Sequence, residues 1–249
     1  MASLHIAGAT YSYRGQPPTL VDISWRIERG EFHCLVGRSG CGKTTLLNLA
    51  SGLLLPNQGS VTLNGQSLTG PTADAGFVFQ SPTLLEWKTV LDNVLLPITI
   101  KGKRTAQDKE RAQALLALMN IDAYQEHFPQ QLSGGQQSRV AIARALINNP
   151  AFLFMDEPFA ALDAITREEL QDDLLALCRD QGMTVLFITH DIAEAVYLSD
   201  RVAVIEAGQI IHAEQINLVR PRSMPMRYSQ EFNQLSLRLR KALLGSNTS

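Results

Sequence analysis

The glycine-rich segment between Gly37 and Thr44 has the residue types needed to bind a chain of phosphate groups. It fits the pattern of glycine, four free residues, glycine, lysine, and then serine or threonine. Glycines let the backbone curl until successive N–H groups point at phosphate oxygens, and the start of the following helix adds partial positive charge. We expect Lys43 to contact the β- and γ-phosphates of a nucleotide and the Thr44 hydroxyl to bind Mg²⁺.

A glycine-rich turn without a ligand is the alternative explanation of this segment. The full pattern arises by chance in only roughly one chain in a hundred of this size, so a phosphate-binding loop is favoured. The predicted phosphate-binding residues are Gly37, Arg38, Ser39, Gly40, Cys41, Gly42, Lys43, Thr44 and Thr45.

A second anion-binding element is predicted in the segment 132–136, whose sequence is LSGGQ. Ser133 is a good N-cap residue, and the glycines after it leave the next backbone amides uncovered, so this helix start can hold an anion. Taken alone, the same residues would also fit an ordinary capped helix. Together with the phosphate-binding loop, however, they indicate an ATP-driven motor domain.

Two carboxylates and a histidine follow apolar runs that are typical of buried strands. Asp156 and Glu157 come directly after the run 152–155, at the end of a strand that should open toward the nucleotide. We expect Asp156 to join the Mg²⁺ shell and Glu157 to orient the attacking water. His190 ends the apolar run 184–189 in the same way. In isolation, a solvated strand end and a structural histidine would be the better explanations, but the neighbouring apolar strands favour catalysis.

Hydrophobic patterns predict the elements that must position these residues. Alternation over residues 21–27, and again before the Asn64-Gly65 turn, predicts antiparallel strands near the N-terminus. Continuous apolar runs at 152–155 and 185–188 predict strands buried on both faces of a parallel sheet. Apolar residues at helical spacing between them predict a largely helical insertion, which we place at residues 88–150.

Residues after 217 form a tail in which Phe232, Leu235 and Leu239 are predicted to line one face of a helix. Basic residues lie nearby, so this helix could touch a membrane surface. Packing of its apolar face on the rest of the protein, with the charges exposed, is the favoured alternative.

Composition limits the class of protein. With 249 residues, 45% of them apolar, the chain can bury a large core, and a net charge of −2 does not support binding to nucleic acid. Its three cysteines argue for a reducing compartment rather than a disulfide framework. No apolar run approaches eighteen residues, so we expect a chain that does not cross a membrane by itself.

The order of these motifs resembles the ATP-binding cassette (ABC) family. After the phosphate-binding loop come Gln80 at the end of a strand, the LSGGQ segment, Asp156-Glu157, Asp163 and His190. The resemblance implies an α/β fold: a P-loop NTPase (RecA-like) core with a mostly parallel sheet, an N-terminal antiparallel β subdomain and an inserted helical subdomain. It implies a nucleotide-binding core at 1–87 and 151–216, a helical signature subdomain at 88–150 and a tail at 217–249.

The resemblance also assigns roles in ATP hydrolysis. Glu157, His190 and Gln80 would be catalytic, His190 contacting the γ-phosphate and Gln80 reaching the water and Mg²⁺. Two chains would sandwich two ATP molecules head to tail, so that the signature segment of one faces the ATP of the other. The predicted metal ligands are Thr44, Gln80 and Asp156, and the further cofactor-binding residues are Tyr13, Ser133, Gly134, Gly135, Gln136 and Asp163.

Tyr13 is preferred over Tyr11 as the aromatic residue that stacks on adenine. The two tyrosines are two positions apart, and a strand residue packed at the edge of the core is nearly as good an explanation for either. Asp163 would lie at the seam of the dimer.

Residues 80–94 look like the groove that receives a cytoplasmic helix of a membrane-spanning partner in importers. Trp87 would be an apolar anchor in it, although a tryptophan buried in the insertion is the alternative. The details resemble the nitrate, sulfonate and taurine importer subgroup. That subgroup usually has proline where Glu86 stands and proline-glycine-arginine at 207–209, and glutamine or lysine is common where Ser138 stands.

The function implied is therefore the ATPase subunit of an ABC importer. Its partners would be a second copy of the chain, integral membrane permease subunits and, indirectly, an external solute-binding protein. It would lie peripherally on the cytoplasmic face of the inner (plasma) membrane, with no nucleic-acid partner. A soluble cassette ATPase that acts on a ribosome or DNA is the alternative, whereas a P-loop kinase does not explain the LSGGQ segment.

Overall fold

The structure, a computed structural model, describes residues 2–245. The described chain forms two compact units, which lie within Met1–Thr72 plus Cys178–Ser249 and within Ala73–Leu177. The division predicted from the resemblance, with a helical subdomain at 88–150 and a separate tail, stays a prediction.

Groups of consecutive strands are separated along the chain by single helices or by groups of helices. The strands are β1 (Ala2–Ser12), β2 (Pro18–Glu28), β3 (Phe32–Val36), β4 (Gln58–Leu63), β5 (Gln66–Ser67), β6 (Ala75–Val78), β7 (Phe152–Asp156), β8 (Thr184–Ile188), β9 (Arg201–Glu206) and β10 (Gln209–Gln215). The helices are α1 (Lys43–Ala50), α2 (Val90–Val94), α3 (Leu96–Lys101), α4 (Ala106–Leu118), α5 (Gly134–Leu146), α6 (Ala164–Gln181), α7 (Ile192–Leu198) and α8 (Gln230–Gly245), with short 3₁₀ helices at Asp122–Tyr124, Pro129–Gln131 and Met224–Tyr228.

The first unit contains an antiparallel sheet in the strand order β2-β1-β4-β5. Ile23, Trp25 and Ile27 are buried, as the alternation along β2 predicts. Val21 breaks the pattern and is exposed, because β2 carries an extra residue there and Asp22 has a positive φ of 49°. This β-bulge turns Val21 outward, which the alternation alone could not indicate.

The same unit contains the strands β10, β9, β3 and β8 side by side. β3 is parallel to both β8 and β9, and β10 is antiparallel to β9. Every residue of β3 and β8 is buried, as expected for parallel strands covered on both faces.

The second unit holds a parallel pair of strands, β6 and β7, and most of the helices. The helix expected from apolar spacing is present as α4, where Thr105 forms a capping box with Asp108. Ala112, Leu115 and Leu116 are its buried residues. The helices α2 to α5 lie between β6 and β7 in the chain, as an insertion requires.

The C-terminal helix α8 belongs to the first unit and packs on α7 and the β9–β10 hairpin. Phe232, Leu235 and Leu239 are buried, which confirms the predicted apolar face. Arg238 forms an ion pair with Glu214 of β10. The favoured alternative for the tail, packing on the protein, is therefore confirmed. Within residues 2–245, no helix combines the length and hydrophobicity that a membrane span needs.

Candidate functional site

The phosphate-binding loop connects β3 to α1, and its shape depends on glycine. Gly40 and Gly42 have φ of 78° and 106°, in the region that favours glycine. A Cβ at Gly42 would lie 2.8 Å from Leu20 Cδ2 and 3.1 Å from the Thr19 carbonyl oxygen. The loop can therefore curl closely against β2 only because this position has no side chain.

Lys43 is buried at the start of α1 and lies within the curl of the loop. Its Nζ donates hydrogen bonds to the carbonyl oxygens of Gly37 and Arg38, at 2.9 and 3.0 Å. Both partners are neutral carbonyl groups, so neither compensates the charge of the ammonium group. The arrangement is thus suited to phosphate, as the motif predicts.

A hairpin turn fixes the other side of this loop. The N–H of Gly208, between β9 and β10, donates to the Cys41 carbonyl oxygen at 3.1 Å, and the N–H of Val21 donates to the Gly208 carbonyl oxygen at 3.0 Å. Burial raises the pKa of the Cys41 thiol, so the thiol is protonated at neutral pH. The contact with Gly208 was not predicted from the sequence.

Tyr13 lies beside the phosphate-binding loop. Its hydroxyl oxygen is 3.2 Å from Thr45 Oγ1, within hydrogen-bonding distance. Its side chain is 39% exposed, so part of the ring is accessible. Tyr11 meets Tyr13 edge to face, with ring centroids 5.1 Å apart. The structure therefore brings Tyr13 to the loop, in agreement with the preference for it, while stacking on adenine stays a prediction.

His190 follows β8, the parallel neighbour of β3. Ile188 is in register with Leu35, and the N–H of Thr189 donates to the Leu35 carbonyl oxygen at 3.2 Å. His190 and Gly37 therefore leave the sheet at the same edge, each two residues after a paired position. The His190 side chain is exposed there. The catalytic role of His190 stays a prediction.

In the second unit, the predicted carboxylates and Gln80 share the end of one strand pair. Val78 of β6 is in register with Met155 of β7, so Gln80 and Glu157 each lie two residues beyond that pair. Asp156 is buried as the last residue of β7, and Gln80 is exposed.

Glu157 has an unusual backbone conformation. Its φ is 46°, and Pro158 follows it, which disfavours helical conformations at the preceding residue. Such conformations cost on the order of 1–3 kcal/mol and cluster at functional sites, where the surrounding structure holds them. The strain supports a functional role for Glu157.

The LSGGQ segment opens α5 with a capping box. Ser133 Oγ accepts a hydrogen bond from the Gln136 N–H at 3.3 Å, and Gln136 Oε1 accepts one from the Ser133 N–H at 2.8 Å. The N–H groups of Gly134 and Gly135 have no partner inside a helix, because they are at its first positions. Ser133 and Gly134 are exposed, so this helix start is accessible to an anion or to another chain.

The start of α5 is packed against the segment that precedes α6. A Cβ at Gly135 would lie 2.9 Å from Leu162 Cδ2, so glycine permits this contact. The next residue, Asp163, accepts a hydrogen bond from the Thr166 N–H at 3.0 Å and so caps α6. Hydrogen bonds from Thr166 hold the pKa of Asp163 below its ordinary value. The structure thus gives Asp163 a capping role beside the signature segment, and its place in a dimer seam stays a prediction.

The loop before α2 is held rigidly and exposes Trp87. Asn93 is fully buried; its Oδ1 accepts from the Leu85 N–H at 2.8 Å, and its Nδ2 donates to the carbonyl oxygens of Lys88 and Thr89 at 3.1 and 3.0 Å. The Trp87 side chain is nevertheless 73% exposed. The alternative of a tryptophan buried in the insertion is therefore wrong.

Arg144 of α5 fixes the beginning of the same loop. Its guanidinium donates to the carbonyl oxygens of Pro82 and Thr83 at 2.7 and 2.8 Å. The roles of Arg144 and Asn93 were not predicted from the sequence. The signal that could have indicated Asn93 was its polar amide within the apolar stretch 90–94.

Two departures from the importer pattern have structural explanations. Ser138 is buried and donates to the Gly134 carbonyl oxygen at 3.1 Å, which needs a short side chain. Ala207 has a φ of 45°, which proline cannot adopt. The turn that contains Gly208 is therefore of another type than a proline-glycine turn.

Several known proteins are similar to this chain in sequence. Residues 20–160 match the family model described as ABC transporter. The chain is 42% identical over 215 residues to a taurine import ATP-binding protein of Yersinia pestis bv. Antiqua, covering 86% of this chain and 84% of that protein. It is 46% identical over 222 residues to an aliphatic sulfonates import ATP-binding protein of Xanthomonas axonopodis pv. citri, covering 88% and 87%.

A solved structure shows the same fold. It is a dimeric ATP-binding cassette in a post-hydrolysis state, bound to ADP and Pi, and it aligns with a TM-score of 0.80 and 34% identity over 87% of this chain and 100% of that chain. The predicted fold class is thereby confirmed. Because the matching family model spans more than half of the sequence, the chain belongs to the ABC transporter family, of which it is an ATP-hydrolysing member.

Proposed function

We propose that this chain is the ATPase subunit of an importer and drives uptake of a sulfonate-type solute through a membrane-spanning partner. The observation that carries the proposal is the exposed Trp87 on a loop fixed by Asn93 and Arg144. A large apolar side chain that is held in solvent by a rigid backbone is typical of a docking anchor. The names of the taurine and aliphatic sulfonates import relatives support the choice of importer and of solute class.

ATP would bind to the phosphate-binding loop, with Lys43 on the β- and γ-phosphates and the Tyr13 ring on adenine. Glu157 would orient water for in-line attack on the γ-phosphorus, and His190 and Gln80 would contact the γ-phosphate and that water. Loop amides and Lys43 would stabilise the charge that develops on the phosphate oxygens. The strained backbone of Glu157 supports its selection as the catalytic carboxylate.

Mg²⁺ would be held by Thr44, Gln80 and Asp156. A hydroxyl, an amide carbonyl and a carboxylate are the hard oxygen ligands that Mg²⁺ prefers, so the donor chemistry of these residues fits the ion. When bound, the ion would neutralise part of the negative charge on the phosphates.

A second copy of the chain would complete each ATP site. The exposed start of α5, with Ser133, Gly134, Gly135 and Gln136, would face the γ-phosphate held by the other copy, and Asp163 would lie at the seam. The Ser133 hydroxyl accepts the Gln136 N–H and still has its own hydrogen to donate to a phosphate oxygen. The dimer reported for the solved ATP-binding cassette supports this arrangement.

The membrane partner would be an integral permease, supplied with solute by an external binding protein. The chain would then lie peripherally on the cytoplasmic face of the inner membrane. The proposal is tested by purifying the tagged protein from gently solubilised membranes of its own cells. The variants are Trp87→Ala and, as a matched control, Tyr228→Ala, because these side chains are 73% and 72% exposed.

We expect an integral membrane protein to co-purify with the unsubstituted chain and the Tyr228→Ala variant, but to be lost from Trp87→Ala. Co-purification that survives Trp87→Ala would refute the anchor. Recovery of ribosomes or DNA instead of a membrane protein would refute the importer.

A further inference from the structure

A groove of about 560 Å³ runs along β2 and β10 in the first unit. Its volume is within the range of small-molecule sites. β2 and β10 are each the edge strand of a sheet, so the groove lies between two edges rather than beneath a loop. None of the residues assigned above to phosphate binding or hydrolysis lines it.

Arg201, at the start of β9, is the cation at one end of the groove. Its guanidinium carbon lies 4.8 Å from the centroid of the Trp25 ring, so the indole fixes its position. Among residues 2–245, no carboxylate forms a salt bridge with Arg201, whereas Arg26 is 2.6 Å from Glu28 Oε1. A stacked guanidinium with unused N–H donors is a ready partner for an acid group.

Arg201 carries the charge at this end, because Arg26, the other arginine of the lining, is paired with Glu28. His5 and Arg26 face each other as a register pair of β1 and β2 and both line the groove. Asp22 is the acidic residue of the lining, and it lies three residues before Trp25 along β2. An anion would therefore bind with its charge at the Arg201 end, away from Asp22.

The opposite end of the groove is apolar. The β-bulge turns Val21 outward until it is 36% exposed, and the alternation of β10 leaves Ile211 43% exposed. Val21 and Trp25 are four positions apart along β2, which corresponds to at most about 13 Å of groove length. That length admits a chain or ring of several carbon atoms attached to an acid group.

We propose that this groove binds a small organic anion, with its acid group on Arg201 and its apolar body along Val21 and Ile211, and that its occupancy is coupled to ATP binding. The coupling passes through backbone hydrogen bonds. The Val21 N–H donates to the Gly208 carbonyl oxygen, and the Gly208 N–H donates to the Cys41 carbonyl oxygen of the phosphate-binding loop. A ligand that shifts Val21 or Gln209 therefore acts on the loop through Gly208.

Binding is tested by the fluorescence of Trp25 in a Trp87→Phe background, since the chain has 2 tryptophans. The probes are 1-hexanesulfonate, hexanoate and inorganic sulfate. We expect a saturable change with both organic anions and an affinity for sulfate at least about tenfold weaker, because sulfate cannot use the apolar end.

Three substitutions locate the site. Arg201→Gln should weaken binding at least about tenfold, because it removes the charged partner. Ile211→Glu, at an exposed strand-edge position, should weaken it similarly while leaving Arg201 on Trp25. Arg179→Gln removes a charge from exposed α6 and should change nothing. The absence of a saturable signal, equal affinity for sulfate, or full binding in Arg201→Gln would each overturn the site.

Coupling is tested by measuring the affinity for ATP with and without saturating 1-hexanesulfonate. We expect a change of at least about fivefold, and the same factor for the anion when ATP is saturating, because coupling is reciprocal. Ile211→Glu should abolish the change. An ATP affinity that stays constant while the groove fills would overturn the coupling.

Discussion

Gly65 and Gly208 occupy equivalent positions in two hairpin turns, which makes them a matched pair for alanine substitution. Their φ angles are 79° and 77°, and each follows a residue that also has a positive φ. A Cβ added at Gly65 meets no heavy atom within 4 Å. One added at Gly208 collides with the Thr19 carbonyl oxygen and lies 3.2 Å from Leu20 Cα. Gly65→Ala and Gly208→Ala both place a Cβ on a residue with positive φ. Only Gly208→Ala also creates a steric clash.

The expected losses of stability follow from this difference. Gly65→Ala should lower the free energy of unfolding by about 1–2 kcal/mol, the cost of a Cβ in the left-handed region. Gly208→Ala should have the same backbone cost and lower the free energy of unfolding by about 1–3 kcal/mol more. The further loss arises because backbone atoms of β2 cannot rotate away from the methyl group as a flexible side chain could. Urea-induced unfolding followed by circular dichroism measures both values.

The same pair tests whether Gly208 positions the phosphate-binding loop. Displacing Gly208 from Thr19 also displaces the N–H that donates to Cys41. We expect ATP to bind about tenfold more weakly in Gly208→Ala, a change of about 1.4 kcal/mol, and with unchanged affinity in Gly65→Ala. Calorimetric titration with ATP measures this. Equal losses of stability in the two variants, or unchanged ATP affinity in Gly208→Ala, would refute the reasoning.

Three further substitutions probe the catalytic carboxylate, a strained turn and a buried histidine. Glu157→Gln should slow phosphate release at least about a hundredfold while ATP binding, measured by calorimetry, is retained; turnover at the original rate would exclude Glu157 as catalytic. Ala207→Asn should raise the free energy of unfolding by about 0.5–1 kcal/mol, since asparagine tolerates the φ of 45° better, and an unchanged urea midpoint would contradict this. Burial lowers the pKa of His33 although Glu31 opposes the shift, so the unfolded chain binds a proton more readily than the folded one. Stability should therefore fall as the pH drops below about 6.5, and urea unfolding at pH 7.5 and 5.5 should show a smaller fall in His33→Gln.

The parts of the fold that sequence predicted are those fixed by local pattern. The apolar runs at β7 and β8 predicted strands buried on both faces, and the apolar spacing within the insertion predicted the helix α4. The phosphate-binding loop was predictable for the same reason, because its glycines are required by the conformation of the loop itself. In each case, the physical cause lies within a few residues of the element.

The features that sequence did not predict depend on distant partners. The bulge at Asp22 is a matter of register between β1 and β2, which no alternation along β2 alone can specify. Asn93 lies in α2, yet its amide organises the loop around Leu85, eight residues earlier in the chain. Trp87 is exposed because of the way that loop is held. The composition of the loop alone therefore left open whether Trp87 is an exposed anchor or is buried in the insertion.

The turn at Ala207-Gly208 shows why a changed motif can preserve a nucleotide site. Proline at 207 would need a negative φ, so this chain builds a different turn from the one usual in the importer subgroup. The contacts that matter to the phosphate-binding loop are made by Gly208 through its N–H and through the absence of a Cβ beside Thr19. Neither contact uses the side chain of residue 207 or 209. Because only the glycine is constrained by the loop, its neighbours are free to differ, and Gln209 is left facing the groove that we assign to an organic anion.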